Sequence, residues 1–92
     1  MTELRQQRRM TNITLYAKTG CPYCAMVIHK LEELNMTWEE KNIANDEVAK
    51  DLIARGGKRQ VPYIIDKEKG VEMYESADIV DYLEKNYGKK IS

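Results

Sequence analysis

Two cysteines carry the most reactive chemistry in this 92-residue chain, three positions apart in Cys21-Pro22-Tyr23-Cys24. A thiolate is the nucleophile of disulfide exchange, and a second thiol close by can displace the first from a mixed disulfide. After Pro22, apolar residues fall at Cys24, Val27, Ile28, Leu31 and Leu34, the i, i+3, i+4, i+7 pattern of a helix with one buried face. Pro22 suits the first helical turn, where its missing N–H would have had no intrahelical partner. Cys21 therefore falls at a helix N-terminus, where unpaired N–H groups and the positive dipole end favour an anion. A free cysteine titrates at about 8.5, and in such settings the value drops to roughly 3.5–7.5, so Cys21 is expected to be ionised at neutral pH. Cys24 lies one turn inward on the apolar face, so geometry makes Cys21 the nucleophile and Cys24 the resolver.

A C-x-x-C also supplies half of a zinc or iron–sulfur site, but a tetrahedral site takes four ligands. The single histidine, His29, stands one helical turn or more beyond Cys24. No metal is expected, and His29 reads as a partly exposed helix residue rather than a base. Two inert, buried cysteines are the other alternative, and the Lys18-Thr19-Gly20 lead-in with Pro22 at the helix start argues against it. A disulfide scaffold of this size would carry more cysteines than two, so the pair points to chemistry in a reducing compartment, and a cytoplasmic location is expected.

The elements that must position the pair can be read along the chain. Asn12 to Ala17 alternates as a strand that ends just before the cysteines, and Met36 to Asn42 reads as a second strand near an edge, given Glu39, Glu40 and Lys41. Asn45 caps a second helix with Asp46 and Glu47 in its first turn and Val48, Leu52 and Ile53 as its apolar face, ended by Gly56-Gly57. Val61 to Asp66 is the most hydrophobic strand, Lys67 to Gly70 its turn, and Val71 to Tyr74 the returning partner. Ser76 is expected to cap a last helix with Ile79, Val80, Leu83 and Tyr87 inside, closed by Gly88 and Lys89-Lys90. The leading strand–helix–strand unit requires parallel strands, and the short turn permits only an antiparallel pair. The sheet is therefore mixed and four strands wide.

Length allows one domain, and a 42% apolar fraction is enough for a small core. Residues 1–11 read as a polar tail holding Arg5, Arg8 and Arg9, residues 12–88 as the domain, and 89–92 as a short C-terminal tail. Fifteen basic residues balance fifteen acidic ones, so no global field favours nucleic acid or an anionic membrane. The longest apolar run, Tyr23 to Ile28, is too short for a membrane span or a secretory segment, so a soluble, unexported chain is expected.

On these residues the chain resembles the glutaredoxins, glutathione-dependent thiol oxidoreductases of thioredoxin-like α/β fold whose dithiol members carry Cys-Pro-Tyr-Cys. The likeness runs from about Ile13 to Tyr87 and includes Lys18 ahead of the first cysteine and Arg59-Gln60-Val61-Pro62 at the family's Thr-Val-Pro region. It implies a four-stranded mixed sheet flanked by three helices, a cis peptide before Pro62, and a Val61 backbone that receives glutathione as an extended peptide. It also implies Lys18 and Arg59, with Lys58 or Gln60, at the glycine carboxylate, and Ser76 at the γ-glutamyl carboxylate. Glu75 or Asp78 would meet the ammonium, and Tyr23 would lean over the bound sulfur.

One departure is visible: the Gly-Gly pair many glutaredoxins carry before the last helix is replaced by Met73-Tyr74, and the following Glu75-Ser76 resembles the N-terminal domain of glutathione transferases. A transferase would use a second, helical domain for its electrophile, which this chain is too short to hold. The resemblance thus implies a monomeric enzyme that reduces protein disulfides and glutathione mixed disulfides, with glutathione as reductant and the glutathione reductase system behind it. Two other roles are considered: an iron–sulfur-bridged dimeric carrier or sensor, whose usual small residue and serine are here Pro22 and Cys24, and a thioredoxin-like reductant served by a flavoprotein reductase.

Overall fold

The computed structural model describes residues 11–88, so residues 1–10 of the tail, with Arg5, Arg8 and Arg9, and the closing residues 89–92 lie outside the described residues, while Thr11 donates to the Thr37 hydroxyl and carbonyl. The elements follow in the order β1 (Ile13–Ala17), α1 (Pro22–Glu33), β2 (Glu39–Asn42), α2 (Asp46–Gly56), β3 (Tyr63–Asp66), β4 (Val71–Tyr74) and α3 (Ser76–Tyr87). The sheet order is β2-β1-β3-β4. Strand β1 pairs parallel with β2 and antiparallel with β3, and β3 pairs antiparallel with β4. This is the mixed, thioredoxin-like sheet expected from the element order. Among the described residues, no helix is long and apolar enough to cross a membrane.

Alternation along the central strands divides the core between the two faces of the sheet. Ile13, Leu15, Ala17 and Ile64 meet Cys24, Val27 and Leu31 of α1 and Ile79 and Leu83 of α3. Tyr16, Tyr63 and Ile65 point the other way, onto Ala49 and Leu52 of α2. The α2 stripe thus centres on Ala49 and Leu52, with Val48 at its margin, and the expected Ile53 is 42% exposed. With α2 alone on that face, only residues aligned under the two tyrosines are covered.

Strand β1 starts at Ile13, one residue after the expected Asn12, and three further ends differ from the sequence reading. Strand β2 starts at Glu39 rather than Met36: Asn35 takes φ 60 after the helix, Met36 makes an isolated bridge with its side chain fully buried, and Thr37 and Trp38 lie outside the strand. Strand β3 starts at Tyr63 rather than Val61, since Pro62 has no N–H for the ladder. At α3, Ser76 is not the cap: it is the first helical residue, and Glu75 precedes it at φ 74, ψ 109 with no side-chain capping bond. Tyr74 ends β4, so a single residue must turn the chain from strand to helix.

A buried carboxylate ties β3 to α3. Asp66 is fully buried and accepts from the phenols of Tyr82 (2.7 Å) and Tyr87 (2.6 Å) and from the Lys69 N–H (3.3 Å). Burial by itself lifts the Asp66 carboxyl, but the Tyr87 and Tyr82 phenols and the turn's N–H groups outweigh it and hold it below the usual carboxylate range. A depressed folded value means that the stabilisation is complete above the unfolded value of about 3.9 and is lost as pH falls through the lower folded one. Asp66→Ala is therefore expected to lower stability at neutral pH by about 1–3 kcal/mol, because two phenols lose their acceptor. Urea titrations should show that difference shrinking as the pH falls below about 4, and a pH-independent difference would contradict the account.

Candidate active site

The β1–α1 junction sets Cys21 at the head of a helix. Gly20 takes φ 82, which closes a turn in which the Cys21 N–H donates to the Lys18 carbonyl at 3.2 Å. Cys21 is the N-cap residue of α1, Pro22 follows in its first turn, and Cys21 Sγ accepts the Cys24 N–H at 3.4 Å. The sulfur thus takes the place of a capping oxygen, facing donors that a thiolate satisfies better than a thiol. Burial works against its charge, but hydrogen bonds from the Cys24 thiol and from the Cys24 and Tyr23 N–H groups, with the Lys18 ammonium, outweigh it and hold the thiol below its ordinary value.

Cys24 behaves in the opposite way. It is 2% exposed, inside the core between β1 and α1. Burial first, then the hydrogen bond and negative charge of Cys21, push its thiol up to about 11. Both cysteines are free. The start of α1 therefore holds one partly exposed sulfur whose thiolate is favoured and, behind it, one buried sulfur whose thiol is favoured.

Two cavities flank this helix start. One, of about 370 Å³, is lined by Tyr23, Gln60, Val61, Pro62, Glu75 and Ser76. It brings together six of the twelve residues singled out from the sequence, contributed by α1, the α2–β3 loop and the start of α3. The Val61-Pro62 peptide is cis, Tyr23 is 61% exposed, and Gln60 Nε2 donates to Glu75 Oε2 at 3.2 Å. Glu75 is a non-glycine residue in the left-handed region, a conformation of the kind that concentrates at ligand sites.

The second cavity, about 450 Å³, lies against the other flank of α1 and is lined by Lys18, Cys21, Cys24, Ile28 and Glu40 among others. Lys18 is thus separated from the first groove, and Arg59 lines neither, its guanidinium instead donating to the Ile43 carbonyl at 3.5 Å. Lys58 places its ammonium 4.9 Å over the Tyr74 ring. Glu40, whose charge adds to the upward push on Cys24, was not anticipated as part of the site. Only the parallel pairing of β2 with β1 brings it there, and its position on a charged edge strand gave no signal. Tyr74 was likewise passed over, although strand alternation places it on the α2 side. Among the described residues, no three His, Cys, Asp or Glu side chains are grouped to hold a metal ion.

Comparison with known proteins places this geometry in context. Residues 15–90 match the family model of the glutathione S-transferase N-terminal domain. Glutaredoxin 1 of Rickettsia felis is 36% identical over 55 residues, covering 56% of this chain and 54% of that protein. A glutathione S-transferase of the Antarctic clam Laternula elliptica is similar at 28% identity and TM-score 0.74, over 86% of this chain and 36% of its own. The glutathione transferase homologue of Drosophila mojavensis, solved with bound glutathione, has the same fold at 23% identity and TM-score 0.74, over 87% of this chain and 37% of its own. The chain thus spans about half the length of the curated relative and little more than a third of the transferases.

Proposed function

Since the chain belongs to the glutathione S-transferase N-terminal domain family, we propose that it is a glutathione-dependent thiol–disulfide oxidoreductase with Cys21 as nucleophile and Cys24 as resolver. The observation that carries this reading is the capping role of Cys21, whose sulfur accepts the Cys24 N–H at the start of α1 and is held below the ordinary thiol value. A sulfur so placed is both a nucleophile at neutral pH and a good leaving group.

Glutathione lies in the groove between Tyr23, Val61 and Ser76 as an extended peptide along the Val61 backbone. Its γ-glutamyl carboxylate meets Ser76 and the first N–H groups of α3, and its ammonium meets Glu75. Its glycine carboxylate turns toward Gln60 and Arg59, which exchanges its long bond to Ile43 for a charged one, with Lys18 supplying positive charge from the Cys21 side.

With a glutathionylated protein, the Cys21 thiolate attacks the glutathionyl sulfur. The Cys21–glutathione disulfide forms, the original S–S bond breaks, and the client departs as a thiolate that takes a proton from water. A second glutathione thiolate then attacks the bound glutathionyl sulfur, releasing oxidised glutathione and restoring Cys21. With a protein disulfide, the Cys21 thiolate breaks the client S–S bond and joins one client sulfur, while the other leaves as a thiolate and takes a proton from water. Cys24 then gives up its proton to water and attacks Cys21 Sγ, and the first client sulfur leaves as a thiolate. The Cys21–Cys24 disulfide left behind takes two electrons from two glutathione molecules. Forming the mixed disulfide removes the negative charge of Cys21, one of the lesser causes that hold Cys24 protonated beside burial, and so eases its ionisation.

The test is reduction of a cysteine–glutathione mixed disulfide coupled to glutathione reductase, followed against pH beside alkylation of Cys21 by iodoacetamide. Both profiles are expected to inflect below about 8.5, with Cys24 unmodified until far higher pH. An ordinary titration of Cys21 together with no turnover would overturn the reading. The family match favours one second reading, conjugation of glutathione to an electrophile. Turnover of an aryl chloride without reduction of the mixed disulfide would support it instead.

A further inference from the structure

We propose that Tyr74 is a positioning residue for glutathione: it fixes the loop carrying Gln60, Val61 and Pro62 relative to the start of α3, and so sets the width of the groove. The proposal rests on the reading of that groove as the glutathione site.

Alternation along β4 turns Met73 into the α1–α3 core and Tyr74 toward the α2 side. The Tyr74 ring packs on Tyr63, its partner in the ladder, with centroids 4.5 Å apart. It also lies over Gly56, the last residue of α2, where a Cβ would collide with the ring and phenol. From this seat the phenol oxygen accepts the Lys58 N–H at 3.1 Å and donates to the Lys58 carbonyl at 2.8 Å. A single side chain thus satisfies both backbone groups of Lys58, a residue that belongs to neither a helix nor a strand.

This latch acts on both walls of the groove. Gln60 and Val61 follow Lys58 in the chain and form the loop wall, while Glu75 and Ser76 follow Tyr74 and form the helix wall. The β3–β4 ladder joins the two walls at their roots, through Tyr63↔Tyr74, and beyond it their side chains are tied by the exposed Gln60–Glu75 hydrogen bond, which a ligand ammonium at Glu75 would compete for. An extended peptide needs the Val61 backbone and the α3 N–H groups at a fixed separation, and without the latch the loop must be ordered at the cost of binding. Tyr74 touches neither cysteine nor the groove itself, so the consequence falls on binding and spares the sulfur chemistry.

Tyr74→Phe keeps the ring on Tyr63 and Gly56 and deletes only the phenol oxygen. In that variant the KM for a cysteine–glutathione disulfide is expected to rise about three- to tenfold, the net scale of losing two exposed hydrogen bonds that water partly replaces, with kcat little changed. The pH profile of Cys21 alkylation should stay where it is. Hydrogen exchange of the Lys58 amide, measured on the free protein, should quicken because its acceptor has gone. Unchanged KM would overturn the proposal, as would a raised KM with Lys58 exchange as slow as in the parent. A parent protein with a slowly exchanging Lys58 amide but no turnover of the mixed disulfide would overturn the functional reading while leaving the latch as a structural fact.

Discussion

Cys21→Ser is expected to lower reduction of glutathione mixed disulfides by more than about a thousandfold, to the rate glutathione achieves without the protein. Losses on that scale follow removal of a covalent nucleophile, and the residual comes from binding alone. The fold should survive the change, because a serine hydroxyl is a good N-cap acceptor and inherits the bond from the Cys24 N–H. A hydroxyl, unlike the thiol, cannot be brought to ionise near neutral pH by a helix start and one lysine. The measurement is the coupled assay on parent and variant at equal protein concentration, with circular dichroism showing that the variant is folded. Activity within tenfold of the parent would mean that some other group performs the exchange.

Cys24→Ser should divide the activity instead of abolishing it. The Cys21–glutathione disulfide is opened by a second glutathione, so deglutathionylation needs no resolver and is expected to stay close to the parent rate. Reduction of a protein disulfide leaves Cys21 joined to its client, and without Cys24 that adduct waits for glutathione from solution. The loss there is expected to be about a hundredfold or more, since an adjacent thiol acts at an effective concentration that dissolved glutathione cannot match. The adduct should build up and be visible by mass spectrometry of the intact protein. Core stability changes as well: Cys24 is buried among Ala17, Val27 and Leu31, and a serine hydroxyl there is a poorer neighbour than a thiol. The two client classes are therefore compared on one preparation, so that a general loss of folded protein lowers both. Equal losses for both classes would remove the resolver role.

The same separation holds across the site: what depends on neighbours in the chain was legible in the sequence, and what depends on distant partners was not. Cys21 at the head of a helix follows from Pro22 and the apolar spacing of Cys24, Val27 and Leu31, all within one element. Asn45 as the α2 cap and the left-handed Gly57 after it are equally local, and the structure has both. The α3 cap failed for a local reason of a different kind. A serine three residues before Ile79 looks like an N-cap, but the strand runs to Tyr74 and leaves Glu75 as the only residue free to turn. Where β4 ends is decided by its ladder with β3, from Tyr63↔Tyr74 to Asp66↔Val71.

The groove shows the limit more plainly. Family likeness gathered ten candidate residues, and the fold gives six of them one cavity, placing Lys18 on the other flank of α1 and turning Arg59 to Ile43. Charge and spacing identify a cation; they do not say which way it faces.

The chain by itself determined the order of strands and helices and the placing of Cys21 and Cys24 at a helix start, because short-range periodicity and helix-start preferences act over a few residues. Tertiary structure alone decided the Glu40 charge that adds to the push on Cys24, the Tyr74 contact with Lys58, and the walls of the groove. Each of these comes from side chains that are far apart in sequence and are brought together by the sheet and the helices packed on it.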